Sequence, residues 1–336
     1  MGHFKLRGLL IFFFLLCAGT LQADEGTPDP ALLQVQNALG LSDSLAHVTD
    51  AYLPSPRALP NFILVQDVHN HPEVQSHIAS IIVYGYQHWG VKKVFLEGAV
   101  SHVDLSVFHR LPSATRTLLL NRLVEEGNLS GPEMAAVIVM EMEWTNPPVC
   151  PFELLGLEDG KLYRQNLEAY RQVLAGREQA LHELEGIRRL QTSLRINGSS
   201  ILALQLDRTE ALIRLKLTPV QYQEYVKDRA AIPSSPALTP VVRAAEKFYT
   251  LVQLRSLFFL QQARSKVPAS PGPRILVVGG FHTALMASHL RAEDRSFIVL
   301  TPHITQSGYE PLYERRMTES VSALQVVRPF SRISPR

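Results

Sequence analysis

The 336-residue chain predicts an α/β fold: a mainly parallel sheet flanked by helices, with a large helical insertion before the late strands. Three observations lead there. Short apolar runs recur at Phe62–Gln66, Val94–Leu96, Phe152–Leu157, Arg274–Val278 and Ser296–Leu300, as expected of strands covered on both faces. The first two flank a helical pattern within about 35 residues, the spacing of a strand–helix–strand unit whose strands run parallel. Between the third and fourth runs, residues 161–272 show helical periodicity broken only by short loops.

The elements follow in order. Lys5 and Arg7 precede an unbroken apolar run from Leu9 to Leu16, and small and polar residues then lead to Ala23. That order predicts a secretory signal peptide over 1–23 and an exported protein, periplasmic or extracellular. The apolar run is too short for a bilayer, which needs about 20 apolar residues. Lipid anchoring at Cys17 is disfavoured by Leu16 before it, where a small residue is usual. Residues 24–60 form a lead-in with helical patterns at Ala31–Leu39 and Ser42–Ala51 and a loop at Pro54–Pro56. The α/β core then spans 61–160 and 273–325. In its first half, Pro72 opens a helix with Ile78, Ile81, Ile82 and Trp89 at helical spacing, closed by Gly90. Several helices follow between Asp104 and Trp144, interrupted at Gly127–Pro132.

In the insertion, a long pattern from Lys161 to Leu194 ends at Asn197-Gly198, and a second helix runs over about Ser200–Leu215. Thr218-Pro-Val-Gln221 is a capping box with proline at the first helical position, and Thr239-Pro240 opens a fourth helix. After the fourth strand a helix is expected from Thr283 to Leu290. Residues 326–336 read as a loose tail.

Composition narrows the classes. Loss of residues 1–23 removes Lys5 and Arg7 and takes the formal charge from +2 to 0. A neutral chain has no electrostatic attraction to nucleic acid, and no later segment is apolar enough to span a membrane. Cys150 is then the one remaining cysteine, so no internal disulfide staples the fold. Neither a Gly-x-Ser-x-Gly elbow nor a Gly-x-x-x-x-Gly-Lys-Ser/Thr phosphate loop is present.

Ligands of parallel α/β sheets bind beyond the carboxyl ends of the strands. The first strand delivers Asp67, His69 and His71 there, the second Glu97, the third Glu158-Asp159, the fourth Gly279-Gly280 and His282, and the fifth His303. Histidines with carboxylates suit two chemistries. They can hold a divalent metal that activates water, or a histidine tuned by a carboxylate can act as a base without one. Gly279-Gly280 would let substrate approach backbone N–H groups.

The strand ending in x-x-x-His, the strand ending in Glu-Gly and the late strand ending in Gly-x-x-His resemble the TIKI/TraB and erythromycin-esterase/ChaN-like superfamily. Phe62–His71 with Gln75, Phe95–Ala99, Gly156–Asp159 with Tyr163, and Val278–Thr283 are similar to exported bacterial members of that group. The family's first motif usually begins with Gly, often Gly-Glu; here Gln66-Asp67 stands in that place. The resemblance implies one pocket built from His69, Glu97 and His282, with Asp67 in support. Glu158, Asp159, Tyr163, Gly279, Gly280, His71 and His303 would line it, and Arg164 is the candidate for the family's arginine. It further implies an exported hydrolase acting on a small-molecule or peptide substrate. His69, Glu97 and His282 would hold Mn, Co or Zn, or activate water directly. A haem- or metal-carrying protein without turnover, and an inactive scaffold whose helical block binds a protein partner, are the rival expectations.

Overall fold

The computed structural model describes residues 29–143, 149–194, 199–229, 235–265 and 272–306. The expected signal peptide and loose tail lie outside them. The chain folds as α1 (Pro30–Leu39), β1 (Ala46–Tyr52), β2 (Phe62–Asp67), α2 (Pro72–His88), β3 (Lys93–Leu96), β4 (Val100–His102), a 3-10 turn (Ser106–Arg110), α3 (Ser113–Glu125), α4 (Gly131–Glu143) and β5 (Glu153–Leu157). The insertion follows as α5 (Gly160–Leu194), α6 (Ser199–Ile213), α7 (Pro219–Asp228) and α8 (Leu238–Ser265), and the chain returns through β6 (Arg274–Gly279), α9 (Gly280–Ala292) and β7 (Phe297–Pro302). The fold class is the expected one. Among the described residues, no helix is long and apolar enough to cross a membrane.

Seven strands form one sheet in the order β1-β7-β2-β6-β3-β5-β4. The five central strands run parallel, and the edge strands β1 and β4 pair antiparallel with β7 and β5. Side chains alternate across the pleat. Ile63, Val65, Val94, Ile275 and Val277 face α2 and α4, whereas Leu64, Phe95, Leu276 and Val278 face α8 and α9. The result is three layers, helix on sheet on helix. The insertion has its own core around Tyr170, Phe248 and Tyr249. It is not separate from the sheet, because Phe259, Leu260 and Ala263 of α8 pack directly on it. The expected capping box of α7 is present, with Gln221 N–H donating to Thr218 Oγ1 and Thr218 N–H donating to Gln221 Oε1.

Two expectations need correction. Ser42–Ala51 is not a second helix, since Ala46–Tyr52 is strand β1. Ala46 and Val48 are buried between exposed His47 and Thr49, and the strand pairs with β7 at the far end of the chain. Local helical spacing cannot foresee that partner, and the buried amide of Gln36 clamps the strand through Val48 N–H and the Ala46 carbonyl. The strands β2 and β3 run parallel, as expected, with β6 between them pairing with both. The helix expected from Thr283 starts at Gly280, so His282 lies in its first turn.

Glycine serves the layers at defined points. A Cβ on Gly156 in β5 would collide with the carbonyl of Ala99, which is backbone and cannot rotate away. Gly156→Ala should therefore lower stability by about 1–3 kcal/mol in urea unfolding. Gly186→Ala in α5, where a Cβ meets nothing within 4 Å, should raise it by about 0.5–1 kcal/mol.

Candidate active site

The site begins with topology. The chain leaves β2 through α2, passes β6 and enters β3; it leaves β6 through α9, passes β2 and enters β7. The two crossovers run in opposite directions on opposite faces, so β2 and β6 flank a switch point. Their carboxyl ends are where such sheets open a crevice. Asp67 and Gly279 are register partners there, and β3 and β5 follow beside β6. Four adjacent strand ends thus bring His69, His282, Glu97 and Glu158 together.

Glu97 is the centre. Its Oε1 accepts from Arg255 Nη2 at 3.0 Å and lies 3.1 Å from His282 Nε2, while its Oε2 accepts from the Gly279 N–H at 2.7 Å. Burial alone would raise its pKa. His282 and Arg255 together outweigh burial and hold the carboxyl down at about 2, so it is a carboxylate. Gly98, at φ +89°, lets the chain turn immediately after it.

Arg255 of α8, fully buried, makes a fork to a second carboxylate. Its Nη2 donates to Glu158 Oε1 at 2.9 Å, its Nε to Glu158 Oε2 at 3.2 Å, and its Nη1 to Asn166 Oδ1 at 3.1 Å. Two carboxylates share one guanidinium. Burial pushes the Glu158 carboxyl up to about 7, with the charge on Glu97 adding to the effect and Arg255 opposing it. Glu97 takes the negative charge first because His282 and Arg255 outweigh its burial, whereas at Glu158 burial prevails over Arg255.

His282 is held on both ring nitrogens, by Glu97 at Nε2 and by Ser256 Oγ 2.7 Å from Nδ1. Burial lowers its pKa despite Glu97, which leaves it neutral at neutral pH. His69 is the opposite case. Burial lowers its pKa, but Asp67 beside its Nδ1 outweighs burial and raises it. Asp67 is itself fixed, since Gln75 Nε2 donates to its Oδ1 at 2.6 Å and Gln75 Oε1 accepts from the Gly131 N–H at 2.7 Å. Gln66 sits in regular strand pairing opposite Val278 and turns its amide to Thr301 and Gly280 on the other face. Asp67 is therefore presented to His69 without any unusual backbone at Gln66.

Most of the remaining expected residues have partners outside this cluster. Asp159 caps α5 by accepting from the N–H groups of Lys161 and Leu162. Tyr163 is buried in the insertion core, and Arg164 is exposed. His71 caps α2, accepting from Val74 N–H. His303, beyond β7, packs edge-on against His47 and accepts from His77 at its carbonyl. The Gly279 N–H is engaged by Glu97 and so is not available to a substrate oxyanion. A Cβ on Gly280 would press on the Gln66 amide.

The arginine of the cluster is Arg255, not Arg164. Its signal was present in the sequence: an arginine on the stripe Val252, Arg255, Ser256, Phe259, which is otherwise buried without charge. Arg164 followed the strand end more closely in sequence, but its helical position faces solvent.

As arranged, these donors do not fit a divalent metal. His282 Nε2 points at Glu97 Oε1, Asp67 is turned onto His69, and the Arg255 cation touches the oxygen that a metal would need. Among the described residues, no group of three or more His, Cys, Asp or Glu side chains is arranged to hold a metal ion. No family model, curated protein or solved structure matches the chain.

Two predictions follow from the charges. Arg255→Met leaves Glu97 and Glu158 buried without their cation and should cost about 3–5 kcal/mol in denaturant unfolding. The second concerns Glu158. Its folded pKa is raised, so stability is present below its ordinary pKa and is lost as pH rises toward about 7. Glu158→Gln should remove that loss, and its melting temperature relative to wild type should climb between pH 5 and pH 8.

Proposed function

We propose that the protein is an exported hydrolase of the kind the superfamily resemblance implies, with His69 as the base that activates water. The observation that carries this reading is the Asp67–His69 pair at the switch point. Asp67 holds the ring at Nδ1, which directs the other ring nitrogen to act on a substrate or water. The surrounding charges favour the same role. Asp67 strengthens His69 as a base by favouring its protonated form, the form it takes after removing a proton from water. Glu97, His282, Arg255 and Glu158 form a fixed polar wall beside it, preorganised because each is tied to another. The bond cleaved is an ester or a peptide bond of a small molecule or peptide.

The test is hydrolysis of a panel of aryl esters and fluorogenic peptides. His69→Ala should lower kcat by at least about 100-fold. The pH profile gives a sharper check. The base must be deprotonated and its pKa is raised, so the rate should rise with pH through a range above the ordinary histidine value. Asp67→Asn should move that rise to lower pH and reduce kcat. Activity lost on chelation, with stoichiometric Mn, Co or Zn in the purified protein, would overturn the metal-free mechanism. No hydrolysis of any panel member would overturn the function.

A further inference from the structure

We propose that Ser256, contributed by the inserted helix α8, is a positioning residue that donates to Nδ1 of His282 and so holds the ring in the orientation and Nε2–H tautomer that Glu97 selects; its effect on turnover rests on the hydrolase reading above. The argument starts from Glu97. Its Oε1, an acceptor, lies 3.1 Å from His282 Nε2. A carboxylate facing a bare imidazole nitrogen would set two lone pairs against each other, so Nε2 must carry the hydrogen. In neutral imidazole Nδ1 is then the acceptor and needs a donor. Ser256 Oγ stands 2.7 Å from it.

The hydroxyl has one hydrogen and two acceptors in reach, because Val252 O is 2.9 Å from the same oxygen. A serine in mid-helix commonly donates to the carbonyl four residues back. Here that choice would leave two lone pairs facing each other at Nδ1, and low dielectric makes such a contact costly. Donation to His282 satisfies the ring, and the Val252 carbonyl retains its place in the helix. Ser256 and His282 are 0% and 2% exposed, so bulk water does not readily substitute for the hydroxyl.

Helix α8 is built for this. Val252, Ser256 and Phe259 lie on one face at helical spacing, with Arg255 one position before Ser256. The Phe259 ring lies 4.9 Å from the His282 ring and limits its tilt. Two consecutive residues of the insertion therefore fix side chains at two strand ends: Arg255 holds Glu97 after β3, and Ser256 holds His282 after β6. The insertion is part of the site's framework and not a detachable cover. Reach to a buried nucleophile excludes the competing role for Ser256, because a fully buried hydroxyl aimed at Nδ1 cannot meet a substrate carbonyl.

The test uses the purified full chain with 15N-labelled histidine. His282 resonances are assigned by their loss in His282→Gln, and its tautomer is read at pH 8 from the two ring-nitrogen shifts. Wild type should show hydrogen at Nε2. Ser256→Ala should shift the Nδ1 resonance, because that nitrogen loses its hydrogen-bond donor, while Glu97 keeps the hydrogen at Nε2. It should also lower kcat about 10–100-fold with KM unchanged, as loss of an orienting partner does. Ser256→Thr, which keeps the hydroxyl, should restore both. Should Ser256→Ala fail to fold, Ser256→Cys keeps the volume, weakens the donor and is read the same way. Hydrogen at Nδ1 in wild type, or an unchanged spectrum and kcat in the serine variants, overturns the proposal. A protein without hydrolase activity refutes the functional reading instead, and the tautomer spectrum still decides Ser256.

Discussion

A single guanidinium, that of Arg255, lies between two carboxylates beneath the sheet's carboxyl edge, and the other parts of the site are arranged around it. Taking three charged groups out of water is expensive, and it succeeds only when every donor and acceptor finds a partner in good geometry. The structure meets that demand closely. Arg255 uses Nε, Nη1 and Nη2, on Glu158, Asn166 and Glu97. Glu97 in turn receives the Gly279 N–H and faces His282. An arrangement of this kind is a poor source of stability compared with an apolar core of the same size. It is a good way to hold polar groups in fixed positions, which is the property a reaction centre needs.

The network also ties the two parts of the fold together. Glu97 and Glu158 come from β3 and β5 of the sheet, whereas Asn166, Arg255 and Ser256 come from the insertion. The apolar contacts of α8 with the sheet place the helix, and its polar residues then reach the strand ends. Sheet and insertion therefore support one constellation. That division separates the two histidines physically. His282 lies under α8, where burial keeps it neutral, while His69 lies on the side of α2, where Asp67 favours its charge. Environments that push two similar groups apart in this way assign them different work.

Much of the architecture was legible because it rests on local physics. The central strands are continuous apolar runs, α7 carries a complete capping box, and glycines and prolines mark the loops. The strand-end rule brought Asp67, His69, Glu97, Glu158 and His282 forward from residue types alone. What escaped was long-range. The local spacing of Ser42–Ala51 suits a helix, and strand β1 forms there only because of a partner some 250 residues away in sequence. The position of β6 between β2 and β3 follows from no local pattern. Asp159, His71 and His303 have the right residue types at strand ends, yet the first two cap helices and the third packs beside β1.

By itself, then, the sequence determined the layers, the parallel run of the central strands and the polar residues offered at one edge of the sheet, because hydrophobic periodicity and turn chemistry act over a few residues. Which of those residues meet was decided only by the tertiary structure. Strand order placed β6 beside β2 and β3, and α8 carried Arg255 and Ser256 across the insertion to the opposite wall. Contacts of that kind depend on packing between segments far apart in the chain, and no local pattern of residues encodes the distance between two helices.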